Sequence, residues 1–356
     1  MAFHALHGFI SAARVMALRV AGFGTGRCME HNAVTSMTEQ RLRRRICSLA
    51  LAALLISTQT ADAVAQVGQA TAPVQTNCIG RFLIDAPLVP AMQSAYIHAG
   101  KRITTRQLAS RADFQQALAT REAALRGGRH RAGDAMWVGG TYLDADAVVQ
   151  TSWLSDSSRA GQLQELYVFD PLHHVMFLIS AQTDATRRPA AIENLRALRP
   201  RIHYRDPAAL PAGPGFCVDS GFIDGARINT EELTVALQVP GHAEARLSVM
   251  SRVVGRADVG LLQRAAALPS DTRPLRVGRR NVNGLEGEEL LVRSGDRDGG
   301  GYRFLWEFQG EAESLQRPFL ALQLSTEAAQ AFATDEEALQ VWDQLLGSLR
   351  LRQGAN

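Results

Sequence analysis

The residues able to do chemistry are few and scattered along the chain. His173 and His174 stand side by side in Asp170-Pro171-Leu172-His173-His174, which could form half of a metal site. Adjacent residues on a strand point to opposite faces, however. The other histidines after residue 65 (His98, His130, His203 and His242) lack the i, i+4 spacing of a helical metal site. The segment reads as a solvated turn. Asp296 and Asp298, set among glycines from Gly295 to Gly301, match the start of a calcium loop but lack its third acidic ligand and distal glutamate. They read as a polar hairpin tip. Asp144 and Asp146 are a possible carboxylate pair but fit a strand end better. There is no G-x-S-x-G elbow and no phosphate-binding loop. Gly22, Gly24 and Gly26 are not framed by a strand and a helix. No pattern calls for a metal or a cofactor. Catalytic groups converge in space rather than in sequence, but this chain offers no constellation to assign.

Cysteine carries more information, through the compartment it implies. Met37 is followed by Arg41, Arg43, Arg44 and Arg45, then by the apolar run Ile46 to Ile56, then by small residues at Ala61, Ala63 and Ala65. This is the order of a secretory signal with cleavage between Ala65 and Gln66. Its apolar run is shorter than the roughly 20 residues a membrane-spanning helix needs. Residues 37–65 are therefore read as a signal peptide and residues 1–36 as a mis-assigned start or a disordered leader. No stable membrane span remains after cleavage. Of Cys28, Cys47, Cys78 and Cys217, only the last two belong to the exported part. A minimal pair in an oxidising compartment is read as a disulfide, Cys78 to Cys217, against the alternative of two buried thiols. The formal charge of +3 also changes meaning. The first 65 residues hold 7 of the 38 basic and 3 of the 35 acidic residues, so the rest is nearly neutral, with 31 and 32. Nothing suggests a nucleic-acid partner.

The elements that position these residues come in two similar sets. Cys78 opens CIGRFLIDAP, and Cys217 sits in FCVDSGFIDG. Arg111-Ala112-Asp113 and Arg256-Ala257-Asp258 each precede a helical pattern, with the aspartate placed as an N-cap. Ala191–Arg205 parallels Ala338–Arg352, each an amphipathic helix followed by a short strand. Between the sets lies the proline-rich stretch Asp206 to Gly215. Alternation at Leu233, Val235 and Leu237 and at Leu247, Val249 and Ser251 predicts strands, and Asn283-Gly284 predicts a tight hairpin. Trp153, Trp306 and Trp342 are expected in the core, and Glu286, Glu288 and Glu289 on a solvated hairpin face. The fold expected is α+β: two related domains, 66–206 and 215–356, each a mostly antiparallel sheet with about two helices, joined by a linker at 207–214.

Three longer motifs carry a family resemblance. Gly215–Ile223 (GFCVDSGFI), Arg280–Arg293 (RNVNGLEGEELLVR) and Tyr302–Thr326 resemble the C-terminal domain of the type VI secretion lipase immunity proteins. Asn77–Pro87 (NCIGRFLIDAP) resembles the first strand of their N-terminal domain. The resemblance implies a periplasmic antidote, without catalysis of its own, that grips a phospholipase effector between two domains and hinders lid opening or lipid access. It implies a cognate phospholipase as partner and a monomer when free. No contact residue carries over by motif. The loop tips Asp144, Asp146, Asp296, Arg297 and Asp298 are candidates because hairpin tips often carry recognition. The alternative is a periplasmic binding or assembly module for a different partner.

Overall fold

Two short hairpins organise the chain, and both turn within two residues. Strand β1 (Val74–Ile79) turns at Gly80-Arg81 into β2 (Phe82–Pro87). Strand β10 (Gly215–Val218) turns at Asp219-Ser220 into β11 (Gly221–Asp224). Cys78 pairs with Leu83 and Cys217 with Phe222, the same place in each hairpin. Gly80 has φ +58, and a Cβ there would meet Leu233 Cδ2 at 2.2 Å, so a side chain at that turn would be strained and would displace Leu233. The computed structural model describes residues 74–87, 93–239, 241–256, 258–265, 272–295, 300–326 and 329–355. The segments read as leader and signal peptide, with the expected Ala65–Gln66 cleavage site, and the expected tip Asp296-Arg297-Asp298 lie outside the described residues.

After each hairpin the chain lays down six strands in the same spatial order. The first set is β3 (Gln93–His98), β4 (Lys101–Gln107), β5 (Trp137–Asp144), β6 (Ala147–Ser155), β7 (Ser158–Asp170) and β8 (Val175–Thr183). The second is β12 (Glu232–Val239), β13 (His242–Arg252), β14 (Arg273–Val282), β15 (Leu285–Arg293), β16 (Tyr302–Phe308) and β17 (Phe319–Thr326). They form one 12-stranded sheet in the order β14-β15-β16-β17-β13-β12-β3-β4-β8-β7-β6-β5, and every pairing in it is antiparallel. The halves meet edge to edge, with Leu233 opposite Tyr96 and Val235 opposite Ser94.

The helices close the layers. Helix α1 (Arg111–Gly127) lies between β4 and β5 in the chain, and α2 (Arg188–Leu198) follows β8. The second half carries α3 (Leu261–Arg264), a single turn, and α4 (Asp335–Ser348). The architecture is a mixed α+β one dominated by antiparallel sheet. Helix α4 buries Ala338, Trp342, Leu345 and Leu346, an i, i+4, i+7, i+8 stripe. The main core runs through both halves, from Val149, Leu166 and Ile179 to Trp306, Phe304 and Trp342.

The short strand after each long C-terminal helix crosses to the other hairpin. Strand β9 (Ile202–Tyr204), which ends the first half, pairs with β11 of the second. Strand β18 (Arg350–Leu351), which ends the second half, pairs with β2 of the first. Each hairpin is thus completed by its neighbour's last strand. Arg205 and Arg352 follow these strands and grip the connecting segment. Arg205 donates to the carbonyls of Asp206, Pro207 and Ala209, all at 3.0 Å. Arg352 donates to those of Pro211, Gly213 and Gly215, all at 2.8 Å.

Four expectations from the sequence need correction. The N-cap of α1 is Ser110, which accepts from Asp113 N, while the Asp113 carboxylate reaches back to Ala109 N at 3.1 Å. This reciprocal cap recurs at α4 with Thr334 and Glu337. Asp258 caps no helix: α3 starts after Gly260, and Asp258 accepts from Val259 N. Trp153 is only half-buried, against His130 and Arg159, whereas Trp306 and Trp342 are fully buried. Glu289 is not solvated. It is buried among Arg276, Arg280 and the Trp342 indole, because α4 covers that face of β15.

Candidate partner-binding surface

The tip between β5 and β6 holds Asp144 and Asp146, and backbone geometry explains its shape. Asp146 N donates to Asp144 Oδ1 at 2.7 Å, an Asx turn that reverses the chain in two residues. Both carboxylates are also tied to helices. Asp146 pairs with Arg111 in the first turn of α1, and Asp144 lies 3.2 Å from Arg199 at the end of α2. The Arg111 guanidinium in turn sits 5.4 Å over the Phe169 ring. The structure brings Asp144 and Asp146 together, but as a braced tip and not as a free carboxylate pair.

The β7–β8 turn stands at the same end of the first half. Asp170 Oδ1 accepts from Leu172 N at 3.0 Å and from His173 N at 2.8 Å. The His173 ring stacks on Tyr204 at 3.7 Å, and His174 takes φ +55. This is the turn the sequence predicted, and its histidines serve it by stacking and by conformation. Leu172 projects from it, 80% exposed. Among the described residues, no group of three His, Cys, Asp or Glu side chains could hold a metal.

Beside the tips, a groove of roughly 580 Å³ separates α1 from β5 and β6. Phe114 and Leu118 of α1 and Val148 of β6 line it, with Trp137 and Tyr142 of β5. Arg126 lies over Trp137 at 5.0 Å and also pairs with Glu122 one turn back. Tyr142 is 78% exposed, so the groove presents an aromatic side chain that the core does not need. Strand β5 ends the sheet on this side, with an uncharged run from Trp137 to Tyr142. Strand β14 ends it on the other with Pro274 and four arginines, features that discourage strand addition, and both edge strands carry register shifts. No sequence signal marked the groove, because its walls come from elements that are not adjacent in pattern.

The charged cluster around α4 is structural. Burial pushes the Asp343 carboxyl up, but hydrogen bonds from Arg276 and Arg280 outweigh it and hold the group below the usual carboxylate range. Asp335 is treated the same way by Tyr302 and Arg273. Both lie on α4, so these ion pairs fasten that helix to β14 and to its neighbours. The Cys78–Cys217 pair is likewise structural. It is a disulfide with Cα atoms 5.9 Å apart, packed with Leu83 and Phe222 between the two hairpins.

These features define a duplicated, sheet-based protein whose charged clusters brace elements and whose open surfaces are loop tips and a groove. Comparison with known proteins agrees. Residues 75–205 match the model of the Tle cognate immunity protein 4 N-terminal domain, and residues 209–354 that of its C-terminal domain. The apo structure of immunity protein TplEi of the type VI secretion system from Pseudomonas aeruginosa is 30% identical, with a TM-score of 0.67 over 78% of this chain and 97% of that one. The Tle4–Tli4 complex contains a chain 29% identical, with a TM-score of 0.68 and the same coverage. TplEi complexed with an "L" peptide is 28% identical, with a TM-score of 0.63 over 98% of its chain. Comparison with curated proteins gives no significant match. The chain belongs to the Tle cognate immunity protein 4 family. It is an immunity protein of the type VI secretion system and not an enzyme. Among the described residues, no helix is long and apolar enough to cross a membrane.

Proposed function

We propose that this protein acts in the periplasm, where it binds a cognate phospholipase effector and inhibits it by gripping it between two halves and blocking lid opening or substrate access. The observation that carries this reading is the likeness, across nearly the whole of the related chain, to a structure solved as a Tle4–Tli4 complex. The signal-like segment 37–65, cleaved between Ala65 and Gln66, would deliver it to the compartment. The jaws would be the related halves 66–206 and 215–356, each a mostly antiparallel sheet with about two helices, joined through 207–214. The free protein is read as a monomer.

The braced tip at Asp144 and Asp146 and the tip at Asp296, Arg297 and Asp298 are proposed as contacts. A tip already held by Arg111 and Arg199 meets a partner with little ordering cost. Inhibition through a lid requires a preference for the closed state, since equal affinity for both states shifts nothing. The test is to express the phospholipase encoded beside this protein in the periplasm, with and without it. Protection together with co-purification is expected. Continued killing with no co-purification would overturn the reading.

A further inference from the structure

Buried positive charge gathers where the first hairpin meets the second half. Arg81, in the β1–β2 turn, is 1% exposed and grips Glu231 with two nitrogens, at 2.6 and 2.5 Å. It also donates to the carbonyls of Gly215, Gly225 and Ala355. Glu231 further lies 3.3 Å from His98 Nδ1, so its carboxylate is fully engaged. Arg227 is 7% exposed, and no carboxylate among the described residues lies within ion-pair distance of it. One of its terminal nitrogens donates to the Leu315 carbonyl, and its guanidinium lies 5.7 Å over the Phe82 ring. The other, Nη2, is buried without any hydrogen-bond partner.

A niche of roughly 20 Å³ opens beside Arg227, lined also by Arg81, Phe82, Phe216, Glu231 and Ser251. That is room for one particle of about water size. Glu232 stands at the rim and is exposed. Burial, then the field of Arg81, lower the Arg227 pKa to about 10, so the group still carries its charge at neutral pH. Among the described residues, two guanidinium groups face one buried carboxylate, with Glu232 exposed at the rim, an arrangement that is unfavourable without a further counter-ion. A water molecule would satisfy Nη2 but not the charge.

We propose that this niche binds one small monovalent anion of halide size against Arg227, and that the anion fastens the first hairpin to the second half. The assignment does not depend on the effector reading. It is tested on the full mature protein in two ways: anomalous scattering from crystals soaked in sodium bromide, and thermal unfolding in sodium chloride against sodium gluconate at matched ionic strength. The expected result is a bromide peak beside Arg227 and a Tm several degrees higher in chloride. Both should vanish in Arg227→Met. Should that variant fail to fold, Ser251→Val fills the niche while keeping both arginines, and it should also abolish the peak and the salt difference. Equal Tm in the two salts, or no halide in the niche, overturns the proposal. A bromide peak with equal Tm marks an adventitious ion only and overturns it as well.

Discussion

The two halves of the molecule arrange six strands in one order and fill the space over them differently. In the second half α4 presses Trp342 onto the sheet beside Phe304, and Trp306 and Tyr302 are buried with them. In the first half its counterpart α2 buries only Leu195 and Leu198, while α1, whose counterpart is the single turn α3, covers the opposite face with Phe114 stacked on Phe169 at 5.0 Å. Polar contacts do the remaining work there: Gln150 bonds the Leu118 carbonyl, and Arg121 pairs with Glu165. Gln162 and Gln164 are buried on β7, where the second half places apolar and aromatic residues on β16. Backbone pairing and two-residue turns have kept the topology in register, and side-chain packing has diverged. The groove lies on the face that α1 covers, where the second half has only the single turn α3 among the described residues.

Because each hairpin is completed by the other half's last strand, the halves should unfold together, and substitutions can break that coupling. The largest effect is expected from replacing Cys78 and Cys217 by serine. The bridge closes a loop with a sequence separation of 139, and its loss should cost about 5 kcal/mol in the chain-entropy model, read by urea unfolding under non-reducing conditions. Trp306→Ala should follow at about 4 kcal/mol, since the side chain is fully buried and its indole bonds the Arg280 carbonyl. The unfolding should stay a single transition. Fluorescence from Trp137 and Trp153 surviving beyond that transition would show that the first half stands alone, contrary to the strand exchange.

Glu231→Gln should cost about 3 kcal/mol by leaving Arg81 buried without its counter-charge. Acid should act in the same direction. Burial pushes Glu231 up, but the hydrogen bonds of Arg81 and His98 outweigh it and leave its pKa lowered, as at Asp335 and Asp343. A lowered folded-state pKa gives stability that is present above the unfolded value, 4.5 for Glu231 and 3.8 for the aspartates, and is lost as pH falls through the folded values. Tm should therefore hold from pH 7 to about 5 and drop steeply below about 4. A flat Tm down to pH 3 would show that these pairs add nothing net. The smallest effect on stability belongs to Asp144→Asn, below about 1 kcal/mol for a partly exposed pair. The same substitution should weaken effector binding, measured by calorimetry, if the tip is a contact. Unchanged affinity would move the interface elsewhere, with the groove beside Trp137 next in line.

Much of the fold was legible in the sequence wherever the cause is local. Alternation placed β12 and β13, and Asn283-Gly284 with φ +49 and +88 formed the predicted hairpin; the repeated cysteine motifs marked related segments, but each reads as one strand and folds as a hairpin. The caps were half-legible: Asp113 does reach a free backbone N–H at the start of α1, but the N-cap is Ser110, and Asp258 caps no helix. The site was less so. Asp144 and Asp146 could be named as a tip, but Arg111 and Arg199, which brace them, lie 35 residues from Asp146 and 55 from Asp144.

By itself, then, the sequence determined the strands, the turns and the duplication, because alternation, positive-φ residues and caps act within a few residues. Tertiary structure alone decided that β9 and β18 trade hairpins, that Glu289 sinks beneath α4, and that Arg227 is left with an unpaired nitrogen. Each of these depends on which distant surface covers a group once the chain has closed, and burial of that kind has no local signature.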